Sequence, residues 1–432
     1  MSSTTRRQFL KGSAALAAGL IIVPRHVLGG PGFIPPSDKL TLGFLGAGRQ
    51  GTGLGRRFRE LDGFQVIAVC DVDQTKINRF TKQTNEYYTQ SRGSGSDYQA
   101  CATYRDFREM IARGDIDAIV NSTPDHWHAI TSIAAMKAGK DIYCEKPMSL
   151  TIKGGRAMVK AARKYDRVFQ TGSMQRSRRN FRHACELVRN GYLGEIKEIL
   201  VSIGGRPKPC DLPEMDPKRE IDWDMWIGPA PYHPYHDDLA PPIPEQFWPR
   251  WRYYSEFGGG NVTDWGAHMF DIAQWALGMD ESGPVEFIPP EDPNAESGMV
   301  IKYANGIVMK HQSFDRGNAV RFIGIKGSLD ISRGFIDSKP GNIAEATIQD
   351  TETRLYKSDN HYLDFLDAVK NRTKPICDVE TGHRTATVCN VTNIAYQLNR
   401  PLQWNPDKEK FIGDSEANKM RKRPIRGGWK LK

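Results

Sequence analysis

Three short stretches of this 432-residue sequence carry residue types that can bind a dinucleotide and move a proton. Gly46-Ala47-Gly48-Arg49-Gln50-Gly51 is a G-x-G-x-x-G run between an apolar segment, "KLTLGFL", and a helical pattern. In that context the first glycine permits a tight turn and the second lets a pyrophosphate approach the backbone. The third lets helix and strand pack closely, and the helix N-terminus favours the anion. Asp71 stands 20 residues past Gly51 at the end of the next apolar segment, "FQVIAVCDVD", where a carboxylate can hold ribose hydroxyls. Asp71 would repel a 2′-phosphate, so NAD is favoured over NADP, while Arg49 offers a phosphate a partner.

The second stretch is "CEKP", residues 144–147, after another apolar segment. Beyond such a strand Lys146 would face the nicotinamide and could donate to a hydroxyl or carbonyl oxygen; it reads equally as a surface lysine before a proline turn. The third is "GGGNVTDWGAHMFDIAQW", residues 258–275. Asp264 and His268 are four apart, hence on one helix face, where a carboxylate can orient an imidazole and raise its basicity. The competing reading is a capping Asp and a packed His.

The elements that must position these residues follow from the apolar pattern. Short apolar strands alternate with helical stretches such as "HAITSIAAMKAGK" and "IKGGRAMVKAARKY" over residues 38–172. That alternation predicts βαβ units and a parallel sheet, a Rossmann dinucleotide-binding domain. Residues 173–410 read differently, as an α/β domain with a large, open, mostly antiparallel sheet. "EIKEILVSIGG" is a long alternating strand, "SGMVIKYANGIVMKHQS" a hairpin turning at Asn305-Gly306, and "AVRFIGIKGSLDIS" another pair of strands. Two late helices, "HYLDFLDAVKN" and "TGHRTATVCNVTNIAYQLN", are expected to close this second domain. Residues 206–255, dense in Pro, Trp and Tyr, read as long loops. Their aromatics, Trp251 among them, offer faces for a sugar or pack on the second domain. His233, His236, Asp237 and Asp238 set no coordination geometry, and no metal is expected. Gln175, Arg176 and Arg179 follow the last parallel strand and are candidate substrate contacts.

The N-terminus answers to a different logic. "TRRQFLKG" ahead of "SAALAAGLIIV" looks like a twin-arginine export signal over residues 1–30, with an apolar run too short for a membrane span. Its four basic residues account for part of the +9 formal charge, leaving +5. Much of the rest lies in "KMRKRPIRGGWKLK", within a basic tail, residues 411–432, read as a solvated end. No nucleic-acid motif is visible. Seven scattered cysteines without C-x-x-C spacing read as small buried hydrophobes.

Together "GAGRQG", "PDHWH" (124–128), "EKP" (145–147) and Asp-xxx-His (264–268) resemble the glucose–fructose oxidoreductase / inositol dehydrogenase / MocA family in the family's order. "WDMWIGPAP" (223–231) and "GIKGSLDI" (324–331) also look familial. The resemblance implies that Lys146 contacts substrate and nicotinamide, that His268 is the acid/base, and that Asp264 orients the reacting hydroxyl. It implies that Pro124 and His128 lie along the cofactor and Glu145 near its nicotinamide ribose. It implies sugar or cyclitol substrates and a homo-oligomer, a dimer or tetramer. His126 and Trp127 are additions without an assigned role.

The expected reaction is NAD(P)-dependent oxidation of a secondary hydroxyl of a sugar, glycoside or cyclitol. A twin-arginine signal on a dinucleotide-binding chain adds a demand. Free NAD should be scarce outside the cytoplasm, and export of a folded protein lets it carry its own, recycled in place. An alternative meets the same demand: a glycosidase or lyase that oxidises, eliminates and re-reduces, without the usual carboxylate pair. A redox-dead sugar-binding protein is a third reading, disfavoured by the complete set Lys146, Asp264 and His268.

Overall fold

The computed structural model describes residues 38–92 and 101–431, so the expected signal over residues 1–30 lies outside the described residues. The first layer is a six-stranded parallel sheet made of β1 (Leu40–Leu45), β2 (Phe64–Cys70), β3 (Ala102–Tyr104), β4 (Ala118–Asn121), β5 (Asp141–Cys144) and β6 (Phe169–Thr171), in the order β3-β2-β1-β4-β5-β6. The central strands are buried on both faces, which is why they read as continuous apolar runs rather than alternating ones. The strand order reverses between β1 and β4. Loops at the carboxyl ends of strands flanking such a reversal form the crevice where ligands bind in doubly wound sheets. Those loops begin at Gly46, Ser122 and Glu145, so three of the motifs meet there.

The second layer is a nine-stranded sheet in the order β13-β12-β11-β7-β10-β9-β8-β14-β15. Its strands are β7 (Ile196–Ser202), β8 (Glu286–Ile288), β9 (Met299–Lys302), β10 (Val308–His311), β11 (Ala319–Gly324), β12 (Gly327–Ile331), β13 (Ile336–Lys339), β14 (Leu402–Asn405) and β15 (Lys410–Phe411). All its pairings are antiparallel except β7 with β10. The expected hairpin is β9–β10, and its turn holds Gly306 at φ 86°. Helices Arg179–Arg189 and Gly266–Leu277 bury one face of this sheet through Phe181, Leu187, Met269, Phe270 and Ile272.

Two expectations change. The late helix His361–Asn371 does not close the second domain. Its Tyr362, Phe365, Ala368 and Val369 enter the core of the first, where Tyr362 meets Phe58 with ring centroids 5.0 Å apart. A helix's apolar stripe needs a partner sheet, and the first sheet's face beside Phe58 and Tyr143 supplies it. The basic tail is not a solvated end. Strand β15 pairs with β14, the Arg426 N–H donates to the Pro229 carbonyl at 3.0 Å, and Trp429 packs on Trp127 at 4.8 Å. Phe411 and Ala417 are buried while Ile412 and Ile425 stay exposed, and the Arg423 and Arg426 guanidiniums donate to the Ser255 and Gly228 carbonyls, so arginines as well as apolar side chains hold the tail.

The cysteines are unpaired thiols, six of the seven buried. Among the described residues no group of three or more His, Cys, Asp or Glu side chains is disposed to hold a metal ion, and no helix is long and apolar enough to cross a membrane. His233, Asp237 and Asp238 are committed to the Pro234 carbonyl, to Tyr235 and to Arg250.

Candidate active site

The glycine-rich run divides its labour as its spacing predicts. Gly46 turns at φ 89°, and a Cβ there would stand 2.7 Å from the Ser122 carbonyl oxygen. A Cβ on Gly51 would stand 2.0 Å from the Gly46 oxygen, so the helix Arg49–Arg59 can approach the turn only through glycine. Gly48, the N-cap of that helix, has no atom within 4 Å of a Cβ position, and the first turn has no acidic residue. This leaves free space before a helix N-terminus, the arrangement a pyrophosphate requires.

Around it opens a cleft of about 920 Å³, lined by Gly46, Gly48, Arg49, Gln50, Asp71 and Pro124 among others. Asp71 is fixed by the Ala47 N–H, which donates to Oδ2 at 2.6 Å, and by the Asp73 N–H, which donates to Oδ1 at 3.0 Å. Burial raises its pKa, an effect that Lys76 and these amides partly offset. On the far side the wall comes from the Pro- and Trp-rich segment. The Arg219 Nε donates to Asp73 at 2.7 Å, the Asp222 N–H donates to the Val72 carbonyl at 2.9 Å, and Trp248 stacks under Arg49 at 4.8 Å. Arg79 joins Glu245 of this segment, at 2.5 Å, to the carbonyl of Ala47, at 2.8 Å. The segment is thus a strap tied to the glycine-rich loop itself. Most of its aromatics pack together: Trp223 stacks on Trp226 at 4.5 Å, and Tyr235 and Tyr254 are buried. Trp251, expected at the substrate, is buried in this cluster and lines the cleft.

His128 does not line the cleft. Its imidazole is buried between two carbonyls, Pro147 at Nδ1 and Thr123 at Nε2, each at 2.9 Å, and burial lowers its pKa to about 4. It staples the Pro124 loop to the Lys146 loop. His126 and Trp127 gain a role: both reach the Trp226 carbonyl, at 3.0 Å each. The helix starting at Asp125 therefore grips the strap, and Gly228 passes so close that a Cβ would stand 2.0 Å from the Trp127 ring.

At the inner end of the cleft the two sheets' motifs meet. Lys146 Nζ donates to the Asp264 carbonyl at 3.0 Å and forms a short ion pair with its carboxylate. Arg252, on the cleft wall, lies 3.7 Å from the same carboxylate. Burial works against ionisation of Asp264, but Lys146 and Arg252 outweigh it and hold the pKa below the usual value. Glu145 is buried with its pKa raised by desolvation, and its Oε1 has no hydrogen-bond partner.

Asp264 and His268 make no hydrogen bond to each other. Helices Gly260–Asp264 and Gly266–Leu277 meet at Trp265, whose φ −90° and ψ −28° stay helical. The carboxylate turns to Lys146, since a cation attracts it more strongly than a neutral imidazole. His268 is 4% exposed, and its Nδ1 has no partner. Its basicity is lowered, not raised: burial first, then the positive charges of Lys146, Arg333 and Arg178, push the pKa well below 6.5. The imidazole is therefore neutral near pH 7 and able to accept a proton.

Residues 40–173 match the NAD-binding Rossmann fold of the Gfo/Idh/MocA oxidoreductase family, and residues 208–431 match its C-terminal alpha/beta domain. The chain belongs to the Gfo/Idh/MocA oxidoreductase family. Residues 3–21 match the twin-arginine translocation signal, so this family member is periplasmic or otherwise exported. Solved structures with the same fold include the aldose-aldose oxidoreductase of Caulobacter crescentus, 20% identical with a TM-score of 0.57 over 84% of this chain and 99% of that one. The WlbA dehydrogenase of Bordetella pertussis, in complex with NADH and UDP-GlcNAcA, is 17% identical with a TM-score of 0.58, over 85% and 99%. Among curated proteins, a glycosyl hydrolase family 109 protein of Shewanella putrefaciens is 30% identical over 215 residues, 45% of each chain. One from Shewanella pealeana is 27% identical over 205 residues, 44% of each. The chain thus spans about half the length of the curated relatives it matches.

Within this Gfo/Idh/MocA site the candidate substrate contacts separate. Gln175 is fully buried beside His268; with its amide nitrogen turned inward it donates to the His268 carbonyl at 3.3 Å and accepts from Arg333 Nε at 3.1 Å. Arg176 cannot reach a substrate. It is 1% exposed and locked in a double fork with Asp271, both contacts at 2.8 Å, and with Asp280 at 2.7 and 3.1 Å. Arg179 points to solvent at the start of its helix, while its neighbour Arg178 is the one whose charge His268 feels. Sequence reasoning missed Arg252 and Arg333. Arg333 sits in the turn between β12 and β13, far from every motif, and its guanidinium lies 4.7 Å from the Trp265 ring centroid.

Proposed function

We propose that this exported enzyme oxidises a secondary hydroxyl of a sugar, glycoside or cyclitol with NAD that it holds tightly and re-uses. The observation that carries the reading is the junction at Lys146. A lysine from the loop after β5 bonds Asp264 of the second layer at the end of a glycine-rich cleft, beside a buried, neutral, unpaired imidazole. The residues present fit a dinucleotide: free space at Gly48 suits a pyrophosphate, and the fixed Asp71 carboxylate suits a ribose diol and opposes a 2′-phosphate. When bound, the nicotinamide supplies the hydride acceptor.

The chain's own residues do the rest. His268 takes the hydroxyl proton, its ring kept neutral by burial and by surrounding cations. Lys146 Nζ steadies the negative charge developing on the oxygen, which needs no reorganisation because the donor is already in place. Asp264 positions Lys146 through the ion pair. The strap from Arg219 to Arg252, tied to Asp73, Val72 and Ala47, supports retention of the cofactor. A second copy is proposed to meet the outward face of the large sheet, where Val300, Lys302, Val308 and Lys310 are half-buried.

The family 109 relatives favour one other reading, net glycoside hydrolysis. Oxidation of a ring hydroxyl acidifies the adjacent C–H, elimination expels the aglycone, water adds, and the carbonyl is reduced again. In that scheme His268 and Lys146 act twice.

The test is to purify protein from the exported fraction, denature it and measure released dinucleotide. Stoichiometric NAD(H) supports the reading, and an empty site with weak affinity for added NAD refutes retention. A chromogenic glycoside without added cofactor then separates the two reactions: aglycone release means hydrolysis, and a keto-sugar alone means oxidation.

A further inference from the structure

We propose that the substrate is an anionic sugar, and that Arg333 receives its carboxylate or phosphate group. This rests on the hydride-transfer reading above. Arg333 comes from a turn that is pinned on both sides. The Ser332 hydroxyl donates to the Asn318 carbonyl at 2.6 Å, and the Asn180 amide donates to the Ser332 carbonyl at 2.9 Å. Its guanidinium lies 4.7 Å from the Trp265 ring centroid, and the Trp265 and His268 ring centroids are 5.9 Å apart. Its Nε is taken by Gln175, whose amide in turn bonds the His268 carbonyl. The side chain is therefore oriented by two groups that both touch His268, and its two terminal nitrogens remain for a ligand.

Charge completes the argument. The other arginines on this edge of the sheet, Arg316 and Arg321, are each paired with Asp330. Among the described residues Arg333 has no carboxylate within ion-pair distance, and nor does Arg178, the N-cap residue of a helix with no acid in its first turn. Asp264 pairs with Lys146 and lies near Arg252, while the solvent-exposed Arg178 and Arg333 have no ion-pair partner and Arg333 feels Asp264 and Glu145 only from a distance. Water answers that exposed charge in the free protein, and a neutral sugar gains nothing from it. A carboxylate or phosphate answers it, and the planar fork of an arginine matches the spacing of two anionic oxygens.

The test presents the cofactor-loaded protein with common hexoses, each as the neutral sugar, the uronate, the uronamide and the 6-phosphate, and follows nicotinamide reduction. The expected result is a preference of at least about tenfold in kcat/KM for an anionic member over its neutral counterpart, weakening with salt. The uronate and the phosphate arms tell which anion is meant. In Arg333→Gln the preference should shrink to within about threefold, and Arg333→Lys should restore part of it. Reduction by neutral members as fast as by their acids overturns the proposal while leaving the hydride-transfer reading intact. A change of oligomeric mass in Arg333→Gln with the preference unaltered also overturns it, since the arginine would then serve a subunit contact. Reduction by no member sinks both readings.

Discussion

Gly48 and Gly51 are the same residue type three positions apart, yet substitution by alanine should fail in different ways. At Gly51 a Cβ would stand 2.0 Å from the Gly46 carbonyl oxygen and 2.7 Å from Ser122 Oγ. Neither the turn nor the helix can yield without moving backbone, so the overpacking cost falls near about 3 kcal/mol. Alanine gains about 1 kcal/mol over glycine in a helix, leaving a net loss of about 2 kcal/mol. That corresponds to a melting temperature lower by roughly 4 to 8 °C for a domain of this size. Gly48 has φ −67° and ψ −168°, which alanine adopts freely, and its Cβ meets nothing within 4 Å. Gly48→Ala should therefore leave the cofactor-free protein within about 0.5 kcal/mol of the parent. It should weaken NAD by about 10- to 100-fold, because the methyl occupies the space reserved for the pyrophosphate. The assay is chemical unfolding of cofactor-stripped protein followed by NAD titration, kept separate because bound ligand itself raises stability. Parental NAD affinity in Gly48→Ala would refute the assignment of that space. Equal destabilisation by both variants would refute the division of roles.

Further outcomes follow from the same geometry. His268→Ala should lower turnover by about 10²- to 10⁴-fold with the dinucleotide still bound, read by single-turnover reduction; near-normal turnover removes His268 from the mechanism. His126, His128 and His361, each near pKa 4, and His268, also held well below 6.5, are buried neutral and bind fewer protons than the unfolded chain below about pH 6.5. Their contribution is thus present above pH 6.5 and lost as pH falls, on the order of 1 kcal/mol per pH unit for each, measurable by unfolding at pH 7, 6 and 5. The acid limb of kcat/KM, correspondingly, should lie well below pH 6.5. Arg176→Ala strands Asp271 in the core and should cost about 3 to 5 kcal/mol of stability; a folded variant with raised KM alone would restore Arg176 to the substrate. Trp429→Ala should free the tail from Trp127 and Phe107, seen as faster proteolytic cleavage beyond Met420.

What was legible in the sequence was whatever a local pattern specifies. The strands β1, β2, β4, β5 and β6 announce themselves as apolar runs, and Gly46, Gly48 and Gly51 reveal their separate duties by spacing alone. Strand β3 was not legible, because three residues in the sheet's edge position need no apolar run. The partner of Asp264 was not legible either. A four-residue spacing brings two side chains near each other but does not decide which partner each takes. That choice passed to electrostatics, and the lysine 118 residues away in sequence won the carboxylate. Arg176 illustrates the converse. An arginine after the last parallel strand looks available, and only the fold shows Asp271 and Asp280 closing on it. Arg333 is the harder case. Nothing in "ISRGF" marks it, since its role depends on a turn held by Asn180, a ring from residue 265 and an amide from residue 175. Sites assembled across two sheets hide their specificity in such turns. On the reading proposed above, Lys146, Asp264 and His268 are written in short motifs, whereas Arg333, the proposed substrate contact, is written in the packing.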